Sequence, residues 1–196
     1  MKKSGREESK RMTRQALLEA GLEEFVERGL DAPSLDAICA RAGFTRGAFY
    51  VHFDNREHFI VQLMEWVGLR FLDTIVTADS AQDSLPDAIG RFLDALARDE
   101  LPTSTLGVRF PHILEASQRL PPIRERFQRL LEEAIQRVSK RVAGGQQRGE
   151  LREGLDGRAL AGLLVTAALG AMALRDAGVN IELKGVRDLI PTLIER

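Results

Sequence analysis

The residues best equipped for chemistry lie close together, at positions 45–52: a hydroxyl on Thr45, a guanidinium on Arg46, a phenol on Tyr50 and an imidazole on His52. Arg46, Tyr50 and His52 can donate hydrogen bonds to phosphate oxygens, and a guanidinium can also read the edge of a guanine. Their spacing predicts a short helix in which Phe49 and Phe53, four residues apart, share one face. That face is expected to bury against Leu35, Ile38 and the first helix. Arg46, Gly47, Tyr50 and Val51 then point the other way, where a DNA major groove would meet them, and Gly47 permits close approach. Tyr50 has a second reading as surface cover.

The remaining reactive side chains form no comparable group. His52 and His58 are six apart and flank a helix junction, so they lack the i, i+4 spacing of a metal pair. Cys39, the one cysteine, reads as a small buried apolar residue with a redox role as the alternative. There is no Gly-x-Ser-x-Gly, no Gly-x-x-x-x-Gly-Lys and no Cys-x-x-Cys segment. The expectation is therefore a protein that is not an enzyme and uses no cofactor and no metal.

Positioning these residues requires helices, because apolar residues recur at helical spacing nearly throughout and sustained alternation is absent. The chain reads as all-α. A first helix is expected over about 8–28, burying Ala16, Leu17, Ala20, Gly21, Phe25 and Val26, with Gly29 as its stop. Ser34 caps a second helix over 35–41, Gly43 ends it, and Thr45 caps a third through about His52. Asp54 or Asn55 caps a long fourth helix over about 56–76. Further helices are expected over 85–98, 105–119 (bent or split near Pro111), 122–148, 157–177 and 186–194, with Gly144-Gly145 weakening the long one.

The composition permits these assignments. The 196 residues carry 28 Lys and Arg against 29 Asp and Glu, a formal charge of −1, which excludes a polybasic protein but not a local basic patch. Residues 1–14 hold six basic and two acidic side chains; this cluster is either a solvated tail or a further phosphate contact. The opening lacks the apolar core of an export signal, and the longest apolar run, residues 159–174, falls short of the ~20 needed to cross a bilayer. A cytoplasmic protein without a membrane partner is expected, with that run as a buried helix.

Taken together, residues 12–60 resemble the DNA-binding domain of the tetracycline-repressor (TetR) family. The resemblance rests on F-x-x-x-G closing the first helix, I-x-x-x-A-G across the second helix and its turn, T-R-G-A-F-Y-x-H-F, and the N-R-E that follows. It implies an N-terminal three-helix DNA-binding domain at 1–60 and a helical ligand-binding and dimerisation domain at 61–196, joined by the fourth helix. Thr45 would cap the recognition helix and touch phosphate; Arg46, Gly47 and Val51 would face bases; Tyr50 and His52 would hold the backbone. Arg56 stands where the family usually has lysine, at a helix N-terminus suited to phosphate. Pro33 replaces a common threonine and Cys39 a common alanine.

The same resemblance implies a small-molecule effector and double-stranded operator DNA as partners, with a repressor released by the effector. Pocket candidates are Trp66, Phe92, Phe110, His112 and Met172; His112 either lines the pocket or faces solvent. A homodimer also follows from composition, because helix 157–177 is apolar nearly all round and one subunit would leave a flank bare. The expected four-helix interface uses Phe127, Leu131 and Ile135 with Leu164, Ala168 and Ala171.

Overall fold

A computed structural model describes residues 2–29, 33–75, 84–101, 109–179 and 182–195. In chain order the helices are α1 (Lys2–Arg28), α2 (Leu35–Ala42), α3 (Arg46–Tyr50), α4 (Arg56–Ile75), α5 (Leu85–Ala97), α6 (Phe110–Arg119), α7 (Pro121–Gln147), α8 (Gly157–Asp176) and α9 (Leu183–Ile194). The described residues form no β-sheet; one isolated antiparallel bridge pairs Leu151 with Glu195.

Helix α1 begins at Lys2 rather than Glu8, since between them only Gly5 disfavours a helix and a lone glycine costs just about 1 kcal/mol. It also buries more than one stripe. Leu18 and Leu22 are buried beside Leu17, Ala20 and Phe25, because α2, α3 and α4 surround the helix. Val26, by contrast, is 39% exposed. At Gly21 a Cβ would lie 2.3 Å from the Phe59 ring, so only glycine lets α4 approach this closely.

The caps read from sequence are present: Ser34 Oγ accepts from the Ala37 amide at 3.1 Å, Thr45 Oγ1 from Ala48 at 3.3 Å, and Asn55 Oδ1 from His58 at 2.8 Å. Gly43 closes α2 with φ of 73°. In the second half, Pro111 lies in the first turn of α6 behind an extended Arg109, which agrees with a split rather than a bend there, and the amide of Phe110 donates to the Asp176 carboxylate at 2.8 Å. The expected start of that helix at Thr105 and the end of the fourth at Val76 lie outside the described residues. Helix α7 runs unbroken through Gly144 and Gly145. A Cβ on Gly145 would meet the Leu151 side chain at 2.8 Å, so this glycine serves packing. Helix α9 starts at Leu183, three residues early, where that side chain packs into the central cluster.

Three apolar clusters follow one another along the molecule. The first joins α1–α4, α6 and Ile123 of α7; the second joins α4–α8 around Phe92, Leu130 and Met172; the third surrounds Val142, Leu151 and Ile194. Helix α8 is the largest departure from expectation. Its 20 residues make it long and apolar enough to cross a membrane by length and composition, yet only Ala161 and Met172 are buried within this chain. It lies along α7, to which Arg158 is tied through Glu132 at 2.9 Å.

Candidate nucleic-acid interface and ligand cavity

The surface around α3 is set by what lies under it. Phe49 and Phe53 are 0% and 1% exposed, and their rings stand 5.2 and 4.8 Å from that of Phe59, with the last pair edge-on. Such a cluster resists rotation because each ring is held by two others. Rotation of α3 is thereby fixed, and Arg46, Gly47, Tyr50 and Val51 are all exposed, Tyr50 by 52% and Val51 by 61%. Tyr50 leans edge-on against Phe49 at 5.6 Å.

Three neighbours of this surface are not legible in the residue spacing. Arg46 Nε pairs with Asp36 on α2 at 3.0 Å; both side chains are more than half exposed, so the pair is weak enough for another anion to replace. His52 is half-buried and its imidazole is held below the ordinary value of 6.5, first by burial and then by Lys10 and Arg14 of α1. Arg14 hydrogen-bonds Gln62 and lies 5.6 Å from the Phe53 ring centre, so the basic run of α1 reaches the end of the recognition segment.

Arg56, at the start of α4, places its guanidinium 5.6 Å from the centre of the Phe25 ring. Beneath α2, Glu24 is 3% exposed and accepts from Arg41 Nε at 2.7 Å, while Arg41 also reaches Glu23 and Glu27. Hydrogen bonding to Arg41 holds the Glu27 carboxyl below its usual value. This network ties α1 to α2 independently of the aromatic cluster. Its signal in the sequence is slight: glutamates at 23, 24 and 27 are indistinguishable from a solvated face.

A cavity of about 530 Å³ occupies the second half of the molecule and extends to α1. Phe92, Phe110, His112 and Met172 line it. Trp66 does not: it packs against the N-terminal cluster, and the Arg70 guanidinium covers it at 5.1 Å. The wall from α4 comprises Ile60, Leu63, Met64, Val67, Gly68, Phe71 and Leu72, a helical stripe on which position 66 has the wrong phase. Leu22, Phe25 and Val26 of α1 also line the cavity, a contribution that the helix pattern alone shows only as core.

The residues expected at the subunit interface are all half-buried within this chain. Phe127, Leu131, Leu164, Ala168 and Ala171 all line the cavity, and Ile135 is half-buried. The most exposed flank of α8 is Ala159, Leu163, Thr166, Ala167, Gly170 and Leu174, with Leu163 65% and Leu174 46% exposed, and Ala167, Gly170 and Leu174 border the cavity as well. A helix apolar on all sides offers no pattern to say which stripe faces inward, so packing on α7 decides it.

Comparison with known proteins places this geometry. The family described as bacterial regulatory proteins, tetR family, matches residues 17–63. The chain is similar to the HTH-type transcriptional repressor DhaR of Mycobacterium sp. (strain GP1), with 26% identity over 160 residues, 81% of this chain and 80% of that protein. Among solved structures it is similar to SmeT, the repressor of the Stenotrophomonas maltophilia multidrug efflux pump SmeDEF, at 26% identity and TM-score 0.69, covering 93% of this chain and 90% of that one. SmeT in its triclosan complex superposes with TM-score 0.71, covering 94% and 92%. The fold is also that of Salmonella enterica GusR, at 20% identity and TM-score 0.72 over 92% of this chain and 93% of that one.

Proposed function

We propose that this chain, which belongs to the tetR family of bacterial regulatory proteins, is a cytoplasmic, homodimeric repressor that grips a pseudo-palindromic operator through α3 and releases it when a small molecule enters the cavity. It is a regulator and not an enzyme. The observation that carries the reading is the orientation of α3: its Phe49 and the Phe53 that follows it are locked under Phe59 while Arg46, Gly47, Tyr50 and Val51 are exposed.

In this reading residues 1–60 are the DNA-reading domain and 61–196 the effector and dimerisation domain, with α4 passing from one to the other. Arg46, Gly47 and Val51 meet base edges; Thr45, Tyr50, His52 and Arg56 hold phosphates. Arg46 exchanges Asp36 for DNA on binding. Dimerisation covers the Leu163–Leu174 flank of α8, with α7 completing a four-helix bundle across a two-fold axis. The two α3 helices then sit about 34 Å apart to enter successive major grooves.

Release is supported by the shared use of one ring. Phe25 lines the cavity and also lies under the Arg56 guanidinium, so an effector that shifts Phe25 or α4 moves a phosphate contact and the spacing of the α3 pair together. The coupling is limited to the effector's differential affinity for the two spacings. That SmeT is a repressor solved with triclosan supports a small-molecule trigger.

The test is operator selected from a random DNA pool, then binding measured across a salt series. Tyr50→Ala and Arg56→Ala should each weaken binding about tenfold on all sequences, with only Arg56→Ala lowering the salt slope by about one because it alone removes a charge, whereas Arg46→Ala should relax preference at one base position. Unchanged affinity, slope and preference in all three variants would remove α3 and the start of α4 from the DNA interface.

A further inference from the structure

The cavity wall has a narrower chemistry than a cavity of this size requires. Of the described side chains that line it, His112 and Arg141 alone carry polar atoms; the rest are aliphatic, phenylalanine, methionine, alanine or glycine. No carboxylate, hydroxyl or side-chain amide is among them. His112 is exposed and therefore marks where the cavity meets solvent, and Arg141 is already engaged within the chain. The α4 stripe from Ile60 to Leu72 gives the wall a length of about 18 Å at 1.5 Å per residue.

A charged ligand would lose its hydration on entering such a wall. A cation would find no carboxylate, and phenylalanine faces return only part of what hydration supplied. An anion would have to compete for a guanidinium that another group in the chain already holds. A neutral apolar molecule meets neither cost and exchanges water for close contact along the whole stripe.

We infer, building on the reading of this chain as an effector-released regulator, that the effector is an elongated, electrically neutral, apolar molecule and that charged lipophiles of the same size are excluded. The wall that selects it includes Phe25, so the occupied cavity touches the DNA-reading half directly.

The experiment compares three probes on the full-length protein: neutral N-phenylnaphthylamine, its sulfonated relative anilinonaphthalene sulfonate, and the lipophilic cation tetraphenylphosphonium. The naphthylamine should bind, by fluorescence, at least about tenfold more tightly than the sulfonate, and the phosphonium should not displace it. Ala168→Trp, which fills the cavity, should abolish naphthylamine binding, and Ala134→Phe replaces it if that variant does not fold. Tighter binding of the sulfonate, displacement by the phosphonium, no binding of the naphthylamine, or binding that persists in a folded filled variant each overturns the inference.

Operator affinity of the same protein without probe keeps the two readings apart. Loss of DNA recognition there sinks the regulator, whatever the cavity accepts. Intact recognition with a charged probe preferred sinks only the ligand class.

Discussion

The rings of Phe49, Phe53 and Phe59 stand 4.8–5.2 Å apart with no side open to water, whereas around Phe92 and Met172 side chains of similar kind wall a cavity of about 530 Å³. Both regions are rich in apolar residues, and both are built from helices. They differ in how much of that surface is matched. In the first, the fit is close enough that Gly21 has no room for a methyl group, and Arg41 holds a buried glutamate as a second fastening. In the second, the helices stand far enough apart to admit a molecule, and α8 leaves one flank bare. The physical lesson is that a surface that reads DNA needs one orientation, while a cavity that senses a ligand must leave contacts unmade until the ligand supplies them.

The sharpest way to break this contrast is to delete one ring from each region. Phe49→Ala should cost about 4 kcal/mol in chemical denaturation, as expected for a fully enclosed phenylalanine. Phe92→Ala should cost roughly half as much, because one side of that ring already faces the cavity and loses no partner atoms there. Equal losses would mean that the two cores are packed alike. A smaller effect is expected at the bare flank. Leu163→Glu should weaken dimerisation by roughly 100-fold without unfolding the subunit, since a charge would be desolvated at a face that is 65% exposed in the single chain. Sedimentation showing an unchanged dimer would move the interface elsewhere.

The smallest expected effect concerns His52, at the margin of the enclosed region. Its imidazole is held below 6.5 in the folded protein, so the unfolded chain takes up its proton first as pH falls. The stability it contributes is whole above that range and is lost as pH drops through it. His52→Gln should flatten the pH dependence of unfolding between about pH 7 and 5 by less than about one proton. An unaltered slope would show that neither burial nor Lys10 and Arg14 shift this residue.

Much of the DNA-reading half is legible one residue at a time. Ser34, Thr45 and Asn55 are caps because short polar side chains before an apolar run can satisfy free amides, and Phe49 with Phe53 declares a buried face by spacing alone. The sensing half is less legible. Helices α7 and α8 carry apolar residues on several faces, so periodicity does not separate cavity wall from subunit interface, and Phe127, Leu131, Leu164, Ala168 and Ala171 fall on the wall. Trp66 reads as a ligand contact by residue type but sits one step out of phase on α4, under Arg70.

What the linear chain determined was local: which segments are helical, where each is capped, and which side of α3 must be hidden, because these follow from spacing and from amides that need partners within a few residues. Tertiary packing decided what depends on distant neighbours. It gave Phe25 both a cavity wall and a guanidinium to support, paired Arg46 with Asp36, and chose the stripe of α8 that faces outward, since burial belongs to an assembled set of helices and not to any one of them.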